Sequence, residues 1–237
     1  MAKLVAVNGS PRGSHGNTQW ILEAFLQGAQ EAGGETELFF TNDLEVKPCD
    51  CGMMYCWYHE PGECCNQDDM QMLYPKIRQA ETLVLATPIY IPLPGAMQNL
   101  VNRLCPLIRP ELVFRDGRTR AVVHEGTRLK RIVLVSTGGW WEKANFEVVE
   151  AIVRELAENS SLEYGGSILR PHAFLMKEDG IFTEAGQKVL EASREAGRQL
   201  TADGKIKPEV LDAVSEPLIP MQDLIDLYNQ WVFEASN

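Results

Sequence analysis

The sequence predicts an α/β fold, a doubly wound parallel sheet with helices on both faces, from three observations. Leu4-Val5-Ala6-Val7 passes into a small polar loop, Asn8 to Thr18, and then into a helical pattern. Thr82-Leu83-Val84-Leu85-Ala86 and Ile132-Val133-Leu134-Val135 are apolar without alternation, as strands buried on both faces are. Helical stripes separate these runs, and parallel neighbours need such crossovers.

In chain order, the first strand is followed by a stripe of Ile21, Leu22, Phe25, Leu26 and Ala29 that stops at Gly33-Gly34. Thr36, Leu38 and Phe40 alternate as a strand. Asp68 can cap a helix with Met70, Leu73 and Ile77 on one face, which Pro75 bends or shortens. After the third strand, Met97, Leu100, Val101 and Leu104 mark a helix over 94–104. Residues 109–130 lack a clean period and carry Arg115, Arg118, Arg120, Arg128 and Lys130, an excursion outside the regular core. Strand 132–135 precedes a helix with Phe146, Val149, Val153 and Leu156. Ser167-Ile168-Leu169 makes the fifth strand, and Ala185, Val189, Ala192, Ala196 and Leu200 a long helix capped by Thr183.

Residues 1–202 thus read as one domain. The segment 203–237 is broken by Pro208, Pro217 and Pro220 and ends in an apolar face of Leu224, Leu227, Tyr228 and Trp231. It reads as a C-terminal helical extension that packs across the domain or onto another subunit.

A chain of 237 residues can bury one substantial core. No stretch approaches the roughly 18 apolar residues of a membrane span, and the opening is too short for a signal peptide. The expectation is a cytoplasmic protein with no membrane partner. A net charge of −11 opposes binding to a phosphate backbone, which excludes nucleic acid as the expected partner.

The loop after the first strand has the makings of an anion cradle. Gly9, Gly13 and Gly16 allow close backbone approach, Ser10, Asn17 and Thr18 add short donors, and the following helix presents its positive end. A solvated turn ahead of a helix is the competing reading. Asn17 precedes Thr18 where a nucleoside-triphosphatase loop needs Lys, and the G-x-G-x-x-G dinucleotide spacing is absent. His15 could neutralise phosphate charge or only line the entrance.

Ligands of such sheets sit beyond the carboxyl ends of the strands where strand order reverses. That rule selects residues 9–18, the 87–95 loop and residues 136–141. In the second, three prolines stiffen the backbone while Ile89, Tyr90 and Leu93 offer apolar area to a planar ring. In the third, Gly138 and Gly139 stand beside Trp140 and Trp141, whose competing reading is core packing.

Six cysteines without a secretion signal point to thiols or metal ligands rather than a disulfide framework. Five fall at 49, 51, 56, 64 and 65. Cys105, alone on a helical stretch, reads as a small core residue. Thiolates suit iron-sulfur clusters or zinc, and spacing alone leaves both open. His59 lies in the same loop and is more simply solvated; His124 and His172 have no companions that suggest catalysis.

Gly9-Ser10-Pro11-Arg12 followed by Gly16-Asn17-Thr18 resembles the phosphate loop of flavodoxin-like FMN reductases, Gly-Ser-x-Arg then Gly-Asn-Thr. Thr87-Pro88-Ile89-Tyr90 is similar to their Ser/Thr-Pro-x-Tyr segment, with Asn102-Arg103 standing where Asp-Arg is usual. Ser136-Thr137-Gly138-Gly139-Trp140, with Glu142, Asn145 and Phe146, resembles a segment of the iron-sulfur flavoprotein branch. That branch closes its cysteine motif with Gly-x-Cys-x3-Asp-Asp-Met, present here over Gly62 to Met70. The opening, Cys49-x-Cys51-x4-Cys56-x7-Cys64, departs from the family spacing.

The resemblance implies a flavodoxin-like five-stranded sheet with a cysteine-rich loop, 48–66, after the second strand. It implies FMN held by Ser10, Arg12, Gly16, Asn17 and Thr18, by Pro88, Ile89 and Tyr90, and by Thr137, Gly138, Gly139 and Trp140. It implies a [4Fe-4S] cluster on Cys49, Cys51, Cys56 and Cys64, with Cys65 as a non-ligand, although Cys65 could replace Cys49 or Cys51. The expected function is FMN-dependent electron transfer, with NAD(P)H as transient donor or a ferredoxin-type partner, in a homodimer or homotetramer. The rivals are an NAD(P)H-dependent FMN or quinone reductase without a cluster, a non-catalytic flavodoxin-like carrier, and a zinc-stabilised binding module. The basic stretch 115–131 could attract an acidic partner, or be a solvated or subunit-contact surface.

Overall fold

The computed structural model describes residues 1–52 and 54–235. Met53, inside the cysteine loop, and the last two residues of the extension lie outside the described residues. Five strands, β1 (Lys3–Asn8), β2 (Glu35–Phe40), β3 (Thr82–Pro88), β6 (Arg131–Thr137) and β7 (Glu163–Arg170), form a parallel sheet in the order β2-β1-β3-β6-β7. This is the expected flavodoxin-like order. Strands β4 (Ile108–Arg115) and β5 (Arg118–Val123) make a separate antiparallel hairpin, as do the short β8 (Lys177–Glu178) and β9 (Ile181–Phe182).

The period of two in each central strand divides its apolar side chains between two cores. Val5, Val7, Leu83, Leu85, Ile132 and Leu134 face helices α3 (Met70–Gln79), α4 (Gly95–Asn102) and α5 (Glu147–Asn159). Leu4, Ala6, Val84, Ala86, Val133 and Val135 face α1 (Asn17–Glu31) and α6 (Glu184–Asp203). Pro75 lies within α3, which nevertheless runs its full span. Helices α1 and α6 meet so closely that a Cβ on Gly28 would strike the Arg194 carbonyl, and one on Gly197 the Phe25 carbonyl. Thr183 caps α6 as expected, its hydroxyl accepting from Gly186 N at 3.0 Å.

The excursion at 109–130 is more ordered than its sequence suggested. Asp116 and Gly117, both at positive φ, turn β4 into β5, a turn that matches strand twist. Arg120 is buried, while Arg118, Arg128 and Lys130 stay largely exposed and pair at the surface. Arg118 and Arg120 pair with Glu155, Arg120 also with Glu158, while Arg128 and Lys130 pair with Glu81.

The extension forms α7 (Pro208–Ser215) and α8 (Met221–Ala235) and folds back on the sheet end. Arg170, fully buried at the end of β7, donates to the carbonyls of Val214 and Glu216 at 2.8 and 2.9 Å. His172 Nε2 accepts from Leu218 N at 3.0 Å. Burial pushes the His172 imidazole down to about 4, so its ring stays a neutral acceptor. No helix among the described residues is long and apolar enough to cross a membrane.

Candidate functional site

The order β2-β1-β3 reverses direction between β1 and β3, and the three selected loops meet at the carboxyl ends there. In the first, Asn8 Oδ1 accepts from Ser10 N at 2.9 Å, and Asn8 Nδ2 donates to Gln19 Oε1 at 2.9 Å. One buried amide thus fixes the loop to the last strand residue and to α1. Ser10 Oγ accepts from Arg12 N, and a Cβ on Gly16 would strike that same hydroxyl. A Cβ on Gly9 would stand 2.6 Å from the Met97 side chain. Glycine is therefore required twice by packing, and the head of α1 keeps its first-turn N-H groups aimed at the loop.

Thr18 and Thr137 join the first loop to the third, hydroxyl to hydroxyl at 2.7 Å. Ile89 N donates to Thr137 O at 3.0 Å and Ser136 Oγ to Thr87 O at 2.8 Å, which joins the second loop to the third. The third is held from behind, since Gly138 N donates to Arg170 O and Ala173 N to Gly138 O.

The resulting cleft, about 160 Å³, is lined by Ser10, Arg12, Gly16, Asn17 and Thr18, by Pro88, Ile89 and Tyr90, and by Thr137, Gly138, Gly139 and Phe174. Eleven of the twelve residues expected to meet the cofactor line it. Trp140 does not; its exposed ring lines a larger depression of about 420 Å³ against α8. Leu93 differs too. Tyr90 N donates to Pro92 O in a tight turn, and Leu93 is buried in the core instead of presented to a ligand. Phe174 is the residue the sequence did not flag. It follows His172, beyond the last strand at the same sheet edge, and stacks edge-on with Tyr228 of α8 at 5.7 Å. His15 is exposed on a 3-10 turn outside the lining.

The cysteine loop leaves the end of β2 and is closed by one ion pair. Arg103 Nη1 meets Asp68 Oδ2 at 2.7 Å and Nη2 meets Oδ1 at 3.0 Å, with both side chains buried. Arg103 also donates to Lys47 O at 2.9 Å, and Asp68 accepts from Lys47 N and Met70 N at 3.0 and 3.1 Å. Asp69 accepts from Glu45 N at 2.7 Å. The Asp-Asp-Met closing element thereby ties the two ends of the loop together. Burial alone would raise the Asp68 carboxyl, but the Arg103 and backbone hydrogen bonds outweigh it and hold it below the usual carboxylate range. Asp68 was expected to cap α3; its main partner is Arg103, and Asp69 takes the cap position.

Within the loop, Cys56 sits on a single helical turn, α2 (Tyr55–Tyr58), and is buried, as is Cys64. Cys51 is half-buried, while Cys49 and Cys65 are exposed. The Cys49 and Cys51 sulfurs stand 3.8 Å apart. His59 is exposed and stacks on Tyr55, which agrees with its solvated reading. Among the described residues, no three His, Cys, Asp or Glu side chains are grouped closely enough to hold a metal ion. The loop carries soft thiol donors of the kind that iron-sulfur clusters and zinc both take, spread here between buried and exposed positions.

The profile of the NADPH-dependent FMN reductase family matches residues 2–159, two-thirds of the chain. The chain belongs to that family. Among curated relatives it is 33% identical over 102 residues to an iron-sulfur flavoprotein of Archaeoglobus fulgidus, covering 43% of this chain and 48% of that one. It is 31% identical over 128 residues to an iron-sulfur flavoprotein of Methanosarcina thermophila, covering 53% and 64%. The matched stretch thus spans about half to two-thirds of those relatives. Among solved structures, an FMN-dependent NADH-azoreductase from Bacillus anthracis in complex with FMN superposes with a TM-score of 0.57 at 13% identity, covering 85% of this chain and 100% of that one. At that identity the likeness concerns the fold.

Proposed function

We propose that the chain is an FMN-dependent oxidoreductase that passes electrons between FMN in the three-loop cleft and a [4Fe-4S] cluster on the cysteine loop. The observation that carries the flavin half is the hydroxyl bridge from Thr18 to Thr137, which holds a glycine loop, a helix head and a proline-stiffened loop around one cleft. Ser10, Arg12, Gly16, Asn17 and Thr18 bind the phosphate with the first turn of α1. Pro88, Ile89 and Tyr90 with Thr137, Gly138 and Gly139 hold the ring edge, and Phe174 walls it. FMN, when bound, supplies exchange between two-electron and one-electron chemistry.

The cluster half is supported by the names of the curated relatives and by the thiol loop that Asp68 and Arg103 close. NAD(P)H serves as transient donor, or a ferredoxin-type protein as partner. Because about 160 Å³ is below the roughly 300 Å³ of a typical ligand pocket, one chain supplies only part of the enclosure, which supports a homodimer or homotetramer.

A second reading, a reductase whose thiols stay free, is favoured by the lack of a converged metal group among the described residues. Iron and acid-labile sulfide assayed after anaerobic purification separate the two. The flavin reading is tested by Asn17→Glu, whose carboxylate would face the phosphate. FMN affinity should fall by on the order of 100-fold, since like-charge juxtaposition costs several kcal/mol. Unchanged stoichiometric FMN would reject the phosphate assignment.

A further inference from the structure

We propose that Asn42, on the turn that follows β2, is a positioning residue for the flavin phosphate: it holds the Pro11-Arg12 turn so that the Arg12 side chain stands at the cleft. This rests on the FMN reading above and gives a role to a residue outside all three cleft loops.

The first loop is anchored unevenly. Its root is fixed by Asn8, which accepts from Ser10 N and donates to Gln19. Beyond Ser10 the bonds run within the loop itself: Gly13 N donates to Ser10 O at 2.9 Å, His15 N to Arg12 O at 3.0 Å and Gly16 N to Gly13 O at 3.2 Å. Such bonds shape the loop without fixing where it points. Pro11 and Arg12 are exposed. Among the described residues, the one hydrogen bond that reaches residues 10–15 from outside the loop is Asn42 Nδ2 donating to Pro11 O at 2.8 Å. The same amide lies over the turn, since a Cβ on Gly13 would stand 3.6 Å from it.

Asn42 is placed by the sheet. Phe40, the last residue of β2, pairs with Asn8, the last residue of β1, so the chain leaving β2 runs beside the first loop. Asn42 sits there on a 3-10 turn, Thr41–Asp43, whose Thr41 is buried, and Asn99 of α4 donates to Val46 O at 3.3 Å just beyond it. Arg12 gains from this support. It lines the cleft, and among the described residues no carboxylate pairs with it. In a chain of net charge −11, that cation is free to meet an anion. Holding its backbone beforehand lowers the ordering cost when it closes on a phosphate. An Asn amide can donate to a carbonyl there, which an Asp carboxylate could not.

The test titrates FMN and riboflavin, which has the same ring without the phosphate, into the full chain stripped of flavin. Wild type, Asn42→Ala, Arg12→Ala and the double variant are compared, with urea unfolding of each. Asn42→Ala should weaken FMN roughly five-fold, the worth of one ordinary hydrogen bond, and leave riboflavin as in wild type. A merely structural role would weaken both flavins alike, and a fraction of unfolded chain does not alter their affinity ratio. Because Asn42 acts through Arg12, the double variant should bind FMN no more weakly than Arg12→Ala. Where riboflavin binds too weakly to titrate, the double variant decides. An unchanged ratio in Asn42→Ala, or losses that multiply in the double variant, overturns the role of Asn42 and leaves the phosphate loop standing. If Arg12→Ala and Asn17→Glu both left FMN affinity unchanged, the phosphate assignment would fall and this inference with it.

Discussion

The two halves of the candidate site are held in opposite ways. The three-loop cleft lies at the ends of β1, β3 and β6, and its positions are set by strand register and two hydroxyl contacts. The cysteine loop is not a strand connection fixed by register; Cys64 packs into the core on one sheet face and α2 meets β4. Its ends are closed by one buried, bidentate ion pair between residues 35 apart in sequence. A site built on register should degrade gradually when one side chain is lost, whereas a loop closed by one pair should fail at once.

The largest effect expected is therefore at the pair. Arg103→Ala leaves Asp68 buried without its cation, which costs about 3–5 kcal/mol. Urea unfolding should show that loss, and the cysteines of loop 48–66 should alkylate faster than in wild type. A loss below about 1 kcal/mol would mean that the loop is held by something other than Asp68 and Arg103.

The next effect belongs to the seam between the cleft and the C-terminal extension. His172 stays neutral in the folded chain because burial, and then the nearby Arg170 charge, push it down to about 4. The unfolded imidazole takes up its proton near pH 6.5, so the folded state holds fewer protons between these values. Its contribution is fully present above pH 6.5 and is lost as pH falls toward 4, the loss amounting to about 2 kcal/mol at pH 5 and about 3 kcal/mol at pH 4. The measurement is the difference in unfolding free energy between wild type and His172→Gln at pH 7 and pH 5. A difference that does not change with pH would show that His172 is not held neutral.

These contrasts explain what could be read in the sequence. The cleft was legible because strand, glycine loop and helix head are consecutive from Leu4 to Thr18, and unbroken apolar runs identify β3 and β6. The function of Arg103 was not, because its partner Asp68 lies 35 residues away in sequence. Asp116-Gly117 carried a hairpin signal that was overshadowed by the charge of 109–130. Phe174 had no local mark; only its place after the last strand brings it to the cleft. Leu93 was assigned to the ring by its apolar character and Trp140 by the family resemblance, yet one turns inward at a tight turn and the other outward toward α8.

A smaller effect tests the register half directly. Thr18→Val removes one hydroxyl and leaves the buried Thr137 hydroxyl without its 2.7 Å partner, for a loss of about 1–2 kcal/mol. FMN affinity should weaken, yet the variant should still fold and still bind. Complete loss of FMN here would show that the cleft depends on one contact as the cysteine loop does, and the contrast between the halves would disappear.

The smallest effect lies where α8 touches the cleft. Tyr228 donates to Gly139 O at 3.4 Å, the far limit of a hydrogen bond, while its ring stacks with Phe174 at 5.7 Å and Trp231 at 5.6 Å. Tyr228→Phe keeps the ring and removes only the weak bond, so unfolding should shift by less than about 0.5 kcal/mol. Tyr228→Ala removes the ring that covers Phe174 and should cost more, with a change in flavin fluorescence as the cleft wall loosens. If the Phe variant matched the Ala variant, the hydroxyl would be a principal tie on the Gly138-Gly139 turn, and the third loop would owe its position to the extension as much as to the sheet.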